Sequence, residues 1–166
     1  MPTRRTSKAN NSSSASANVP DNSLPFRRSG AEVEVDMELG LVKVLKIAAA
    51  HDVGKVINPR LCEGQVEGGV LQGVGWAVRE EMTYEEGKGF YNTGFHKYML
   101  PTADDHPEII SILVESNDPK GTFGMKGIGE VGCIPTLPAI FSAVEDATGV
   151  RFEEAPLTPD RVLAGF

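Results

Sequence analysis

The chain has 166 residues and a formal net charge of -7, which allows about one domain and argues against a nucleic-acid partner, since such partners favour a basic surface. Its composition is typical of a globular protein, and no apolar run is long enough to span a membrane. The two cysteines, Cys62 and Cys133, lack the spacing of a disulfide framework or a metal site. We therefore expect reduced thiols, no metal held by these side chains and a cytoplasmic location.

The N-terminal segment differs in composition from the rest of the chain. Residues 1–30 are rich in Ser, Asn, Ala, Thr and Pro and contain few large apolar side chains. Such a segment buries too little surface to offset the entropy of ordering it. We predict that residues 1–30 are disordered and that the folded domain covers residues 31–166.

Alternating and β-branched patterns predict several strands. Residues 31–36 alternate apolar and acidic side chains, and residues 41–50 alternate before becoming wholly apolar. These two segments predict a β-hairpin. Residues 90–100 indicate a strand or an extended segment, and residues 109–115 indicate a strand by their β-branched content.

Two helices are predicted, one rich in glycine and one amphipathic. Asn58 as N-cap and Pro59 at the first position predict a helix that continues to about Met82. Residues 135–148 predict an amphipathic helix that ends at Gly149. The apolar side chains of the first helix that need burial are Leu61, Val66, Val70, Leu71, Val74, Trp76, Ala77 and Val78, and its glycines are Gly64, Gly68, Gly69, Gly73 and Gly75. Together the elements predict an α+β fold, with a β-hairpin and further strands packed against both helices.

A glycine-rich loop precedes the second predicted helix and carries a single carboxylate, that of Glu130. The surrounding glycines are Gly121, Gly124, Gly127, Gly129 and Gly132. A glutamate in such a loop is a candidate general base, although a helix cap or a loop staple is an equally simple role. Lys120 and Lys126 fit a cofactor phosphate or, as we expect, a solvated surface.

Three ordered blocks resemble the molybdenum hydroxylases, the family of xanthine dehydrogenase and aldehyde oxidase. They read Asp-Val-Gly-Lys-Val-Ile-Asn-Pro at 52–59, Gly-Gln-Val-Glu-Gly-Gly-Val-Leu-Gln-Gly-Val-Gly at 64–75, and Gly-Met-Lys-Gly-Ile-Gly-Glu at 124–130. The resemblance is to the C-terminal part of the large, molybdopterin-binding subunit and runs from about Ala31 to Phe166. The segment before Ala31 does not resemble the family.

The resemblance implies roles for individual residues. Glu130 matches the catalytic base, and Gln65 matches a glutamine that hydrogen-bonds the pterin, with Gln72 as a weaker candidate of the same kind. Gly127 and Gly129 let the backbone approach a molybdopterin-type molybdenum cofactor. The implied reaction hydroxylates a purine, an N-heterocycle or an aldehyde carbon, with water as the oxygen source.

The resemblance also implies partners, because the remaining elements of the large subunit are missing from this chain. These partners are the remainder of that subunit, an iron–sulfur subunit and usually a flavin subunit, which carry the iron–sulfur clusters and the flavin. We expect the isolated chain to be inactive. The alternative is a truncated, non-catalytic fragment or structural module that needs a partner polypeptide.

Overall fold

The computed structural model describes residues 4–9, as backbone, and residues 26–166. The elements in chain order are β1 (Arg4–Ala9), β2 (Arg27–Asp36), β3 (Leu41–Asp52), α1 (Pro59–Val78), β4 (Tyr84–Glu85), β5 (Gly89–Phe90), β6 (Glu108–Val114), α2 (Thr136–Thr148) and α3 (Pro159–Ala164). Within these ranges no helix is both long and apolar enough to cross a membrane. The mixture of open sheet and helices confirms the α+β fold class.

The main sheet has four strands in the order β1-β2-β3-β6. The predicted hairpin is confirmed: β2 and β3 pair antiparallel around a turn at 37–40, with a register shift between Glu32 and Val33. β6 pairs parallel with β3, from Lys46 opposite Glu108 to Asp52 opposite Val114. The strand predicted at 109–115 is thus confirmed within one residue.

Both long helices cover the same face of the sheet. α2 packs mainly on β1 and β2, whereas α1 packs on β3, β6 and α2. The buried core is built from small and β-branched side chains of both layers, including Val33, Val35, Ile47, Val66, Val70, Val74, Ile140 and Val144. Removing such surface from water is the main term that stabilises the fold.

The helix predictions hold at their starts and differ at one end. Asn58 accepts a hydrogen bond from the Leu61 N–H at 3.2 Å, as expected for an N-cap before Pro59. α1 ends at Val78 rather than near Met82. α2 ends as predicted at Gly149, whose φ of 78° suits glycine.

Two apolar residues of α1 correct the sequence prediction. Trp76, expected in the core, is 38% exposed, and Leu61 is 69% exposed. Successive helix positions rotate by about 100°, so both side chains lie opposite the stripe formed by Val66, Val70 and Val74. The helix has apolar residues on more than one face, and the sheet covers only one of them.

Residues 90–100 also differ from the predicted extended segment. Only Gly89–Phe90 forms a strand, paired with Tyr84–Glu85, and a turn closes at Gly94, whose carbonyl accepts from Lys97 N–H at 2.8 Å. The Asn92 side chain donates to the Glu81 carbonyl and accepts from the Thr83 N–H at 2.8 Å. A side chain therefore replaces the backbone ladder that a longer strand would need.

The expectation of disorder over residues 1–30 does not hold where the structure describes that segment. Arg4–Ala9 pairs antiparallel with β2, from Arg4 opposite Asp36 to Ala9 opposite Ala31, and β2 itself begins at Arg27. Strand pairing uses backbone hydrogen bonds, which do not require apolar side chains. The rest of the predicted disordered segment, residues 1–3 and 10–25, lies outside the described residues.

Candidate functional site

The glycine-rich loop, residues 116–132, connects β6 to the turns before α2. Hydrogen bonds within it join Asp118 N–H to the Gly124 carbonyl at 2.9 Å and Gly121 N–H to the Asp118 carbonyl at 3.2 Å. Phe123 has a φ of 54° and is 83% exposed. A bulky side chain in the left-handed region is uncommon and marks a backbone held by its surroundings.

A buried ion pair joins this loop to the end of β3. The Lys126 ammonium lies 2.7 Å from a carboxylate oxygen of Asp52, and the two side chains are only 4% and 6% exposed. The other carboxylate oxygen accepts from Gly54 N–H at 2.9 Å and from the Ser116 hydroxyl at 2.8 Å. Burial raises the pKa of Asp52, but these hydrogen bonds, led by that of Lys126, outweigh it and hold the pKa below its usual value.

The backbone tightens the same junction. Val53 accepts from Lys126 N–H at 2.9 Å, and Gly54 accepts from Asn117 N–H at 3.0 Å. Gly54 has a φ of 69°, and a Cβ atom there would overlap the carbonyl oxygen of Gly124. Glycine is therefore required at this turn by both conformation and space.

Glu130 lies on the surface beside the first half of α1. Gly132, two residues later, packs on that helix: a Cβ atom at Gly132 would lie 3.1 Å from the Val66 carbonyl oxygen and 3.2 Å from the Gly69 Cα. Two residues span at most about 7 Å, so Glu130 stays close to this part of α1. Its side chain is exposed, and within the described residues no hydrogen bond or ion pair fixes its carboxylate.

Glu130 does not adjoin the N-terminus of α2. α2 begins at Thr136 with Pro135 as its cap, and turns occupy residues 131–135. Six positions therefore separate Glu130 from the first residue of α2, whereas the field of a helix N-terminus falls off within about one turn. The nearest polar contact of the residue is through its carbonyl, which accepts from the Cys133 thiol at 3.0 Å.

The candidate amides lie on an exposed face of α1. Gln65 and Gln72 are both exposed and two helical turns apart, about 10 Å along the axis. Because α1 turns by about 100° per residue, one stripe contains Leu61, Gln65, Gly68, Gln72 and Trp76. Gln65 lies one helical turn before Gly69, on which Gly132 packs, and Gln72 lies further along the helix.

Glycines next to these side chains open the backbone to a ligand. A Cβ atom at Gly64, Gly68, Gly127 or Gly129 would meet no heavy atom within 4 Å. The amide groups of Gln65 and Gln72 both donate and accept hydrogen bonds, as the edge of a pterin requires. The residues present thus fit a flat, polar cofactor that approaches the backbone closely.

The candidate residues line neither the cavity between β3 and α1 nor a cluster of metal-ligand side chains within the described part of the chain. A cavity of about 520 Å³ between the start of β3 and the end of α1 is lined by residues such as Val44, Val78 and Leu157 and includes none of the candidate site residues. The described part of the chain contains no group of three or more His, Cys, Asp or Glu side chains placed to hold a metal ion.

Sequence reasoning missed the ion pair. Lys126 was expected at a solvated surface, but it is buried against Asp52. The available signal was that both residues belong to blocks that resemble one family, since Asp52 begins the first block and Lys126 lies within the third. Trp76, expected in the core, instead belongs to the exposed stripe of α1.

Known proteins are similar to this chain in sequence and in fold. The family model of the molybdopterin cofactor-binding domain matches residues 3–107, which corrects the expectation that the segment before Ala31 does not resemble the family. A putative xanthine dehydrogenase molybdenum-binding subunit of Escherichia coli (strain K12) is 38% identical over 156 residues, which cover 93% of this chain and 21% of that protein. The nicotine 6-hydroxylase large subunit of Paenarthrobacter nicotinovorans is 36% identical over 149 residues, which cover 86% of this chain and 18% of that protein.

Solved structures also show similarity to this chain. The chain is similar to quinoline 2-oxidoreductase from Pseudomonas putida 86, with a TM-score of 0.82 and 33% identity over 86% of this chain and 19% of that one. It is also similar to the aldehyde oxidoreductase from Desulfovibrio gigas, with a TM-score of 0.78 and 30% identity over 85% of this chain and 15% of that one. The chain spans about a fifth of the length of the relatives that it matches.

Proposed function

We propose that this chain, which belongs to the family of molybdopterin cofactor-binding domains, contributes a catalytic base and a cofactor-binding helix face to a molybdenum hydroxylase. The proposal assigns Glu130 as the base and Gln65 as the residue that hydrogen-bonds the pterin. Gln72, Gly127 and Gly129 complete the cofactor-binding set. In this proposal residues 31–166, together with the start of β2 and the paired strand β1, form the C-terminal part of the molybdopterin-binding domain.

One observation carries the proposal: Gly132, two residues after Glu130, packs on α1 at Val66 and Gly69, and Gln65 belongs to the same part of that helix. The molybdenum cofactor, when bound, supplies the redox chemistry by which oxygen from water is added to a substrate carbon. A carboxylate oxygen of Glu130 takes up the proton that the attacking oxygen must lose. A positioned base of this kind contributes about 10²–10⁴ in rate.

The substrate class and the partners follow from the relatives. These relatives are a putative xanthine dehydrogenase subunit, a nicotine 6-hydroxylase subunit, a quinoline 2-oxidoreductase and an aldehyde oxidoreductase. We propose a purine, N-heterocycle or aldehyde as substrate, and the remainder of the large subunit with iron–sulfur and flavin subunits as partners. Two free cysteines, Cys62 and Cys133, support a cytoplasmic location.

The test is turnover per bound molybdenum in the assembly of this chain with the remainder of the molybdenum-binding polypeptide and its iron–sulfur subunit. Glu130→Gln keeps the shape and removes the basicity, so cofactor content should stay and turnover should fall about 10²-fold or more. Gln65→Ala should instead lower the molybdenum content. Glu153→Gln, at an exposed position beyond the far end of α2, is the matched control and should change neither quantity. Near-full turnover per metal in Glu130→Gln would reduce Glu130 to a loop residue.

One observation favours a second function, that of a non-catalytic structural module. The candidate side chains lie at the surface, and Leu61 and Trp76 in the same stripe are exposed. An assembly that binds cofactor and turns over normally with both Glu130→Gln and Gln65→Ala would support this reading.

A further inference from the structure

We propose that the buried pair Asp52–Lys126 is a positioning device that fixes the glycine-rich loop and thereby sets the place of Glu130. The inference rests on the proposed function of Glu130. It assigns a role to the first and third sequence blocks together, since Asp52 lies in one and Lys126 in the other. Neither residue is assigned contact with a reacting atom.

The anchor of the device is rigid. Asp52 is the last residue of β3, a strand paired on both sides, and lies opposite Val114 of β6. Its carboxylate receives three contacts, a charged hydrogen bond from Lys126 and hydrogen bonds from the Ser116 hydroxyl and the Gly54 N–H. Ser116 begins the loop and Lys126 lies within it, so one side chain ties two points of the loop to the sheet.

The Asp52–Lys126 pair lies next to a segment in which glycines supply no side-chain packing of their own. Between Lys126 and Glu130 lie Gly127 and Gly129, around which a Cβ atom would meet nothing within 4 Å. On the other side of Glu130, Gly132 packs against α1 near Gly69. Ile128 is also partly buried against the core, so the loop is held at Lys126, Ile128 and Gly132, and Glu130 lies between the last two.

A purely structural explanation accounts less well for the charges. Burying an ion pair costs desolvation, and an apolar pair of similar volume is often as stable or more stable. Two charged groups with directed hydrogen bonds instead fix one geometry, because the ammonium must meet the carboxylate oxygen at 2.7 Å. Such a fixed geometry benefits a catalytic side chain, since a displacement of about 1 Å costs roughly 10²-fold in rate.

The first experiment measures amide hydrogen exchange in the full chain for Asp52→Asn, Lys126→Met and the double variant. Residues 118–132 should exchange about tenfold or more faster, while β3 and α2 keep their protection. The control is Lys55→Met, which removes the neighbouring exposed pair Lys55–Glu115 (3.0 Å) and should leave the loop unchanged. Unchanged loop exchange in the folded variants would overturn the proposal, as would failure of all three variants to fold, since the pair would then be a folding determinant.

The second experiment measures turnover per bound molybdenum in the assembly. Lys126→Met or the double variant should keep its cofactor and lose about tenfold or more in turnover, whereas Lys55→Met should match the unmodified protein. If the loop loosens but turnover stays while Glu130→Gln is inactive, the pair does not position the base. If Glu130→Gln is also fully active, the proposed function fails, and the exchange data alone decide whether the loop is tethered.

Discussion

At the scale of single residues, His51 has a clear consequence for stability. It is fully buried, and neither ring nitrogen has a hydrogen-bond partner among the described residues. Burial, assisted by the charge of Arg27, lowers the pKa of His51 to about 4. Ser29 and Ser111 lie on the two strands that flank β3, each opposite Ala49, two residues before His51. Their hydroxyls are also buried and have no hydrogen-bond partner among the described residues. His51 is therefore neutral in the folded state at neutral pH.

The sign of the pH dependence follows. An unfolded histidine has a pKa near 6.5, so the unfolded state binds a proton that the folded state does not bind until about pH 4. The stability due to neutral His51 is complete above about pH 6.5 and is lost as the pH falls towards 4, by up to about 3 kcal/mol. Denaturant unfolding at several pH values measures this loss.

Two variants separate His51 from other groups. His51→Leu should flatten the dependence between pH 6.5 and 4, whereas His96→Gln, at an exposed position, should preserve it. Against the effect of burial, which raises the pKa, hydrogen bonds from Lys126, Gly54 and Ser116 hold the pKa of Asp52 below its usual value, and hydrogen bonds from Thr102 with the charge of Arg79 do the same for Asp105. The stability due to these carboxylates is therefore lost in a more acidic range than that due to His51. An unchanged pH dependence in His51→Leu would show that another group is responsible.

At the scale of elements, the packing of α1 predicts opposite changes in stability when the adjacent glycines Gly68 and Gly69 are replaced. A Cβ atom at Gly69 would lie 2.9 Å from Gly132 Cα, and one at Gly73 would lie 2.7 Å from Thr136 Cβ. Gly69→Val or Gly73→Val should therefore overpack the contact with the segment before α2 and cost about 1–3 kcal/mol. Gly68→Ala meets nothing within 4 Å and should stabilise the chain by up to about 1 kcal/mol through helix propensity.

Chemical denaturation of each variant gives these free energies of unfolding. In the assembly, Gly68→Ala has a further use because Gly68 lies on the stripe with Gln65 and Gln72. Molybdenum content lower than in the unmodified assembly, despite a more stable chain, would identify that face as a binding surface. Equal losses for Gly68→Ala and Gly69→Val would contradict the assignment of one packed and one open face.

The elements also show which features a sequence can predict. The β2–β3 hairpin was predictable from alternation, the start of α1 from an N-cap before proline, and the end of α2 from a glycine C-cap, because all three are local signals. The exposure of Trp76 was not predictable from the sequence, since it depends on how much of the surface of α1 the sheet covers. β1 was missed because its pairing uses backbone atoms, and the Asp52–Lys126 pair was missed because 74 positions separate its members. Family resemblance supplied Glu130 and Gln65, whereas the contact of Gly132 with α1, which links the loop of Glu130 to the helix of Gln65, is visible only in the structure.

At the scale of the whole molecule, the candidate site is a surface rather than a pocket. Gln65, Gln72, Glu130, Gly127 and Gly129 are all exposed, and the cavity of about 520 Å³ includes none of them. Ligand sites normally bury about 70–90% of the ligand, which a helix face and one loop do not achieve. The chain spans about a fifth of its relatives, and the proposed function therefore requires that other polypeptide segments supply the remaining walls of the site.

We therefore predict that the isolated chain, purified from a host that makes the cofactor, retains no stoichiometric molybdenum. Coexpression with the remainder of the molybdenum-binding polypeptide should raise the metal content, because added segments bury the cofactor against the α1 stripe. Elemental analysis of both preparations measures this, and coexpressed Gln65→Ala tests whether the retained metal depends on this chain. Stoichiometric molybdenum in the monomer would show that α1 and the glycine-rich loop bind the cofactor unaided, which an open surface does not explain.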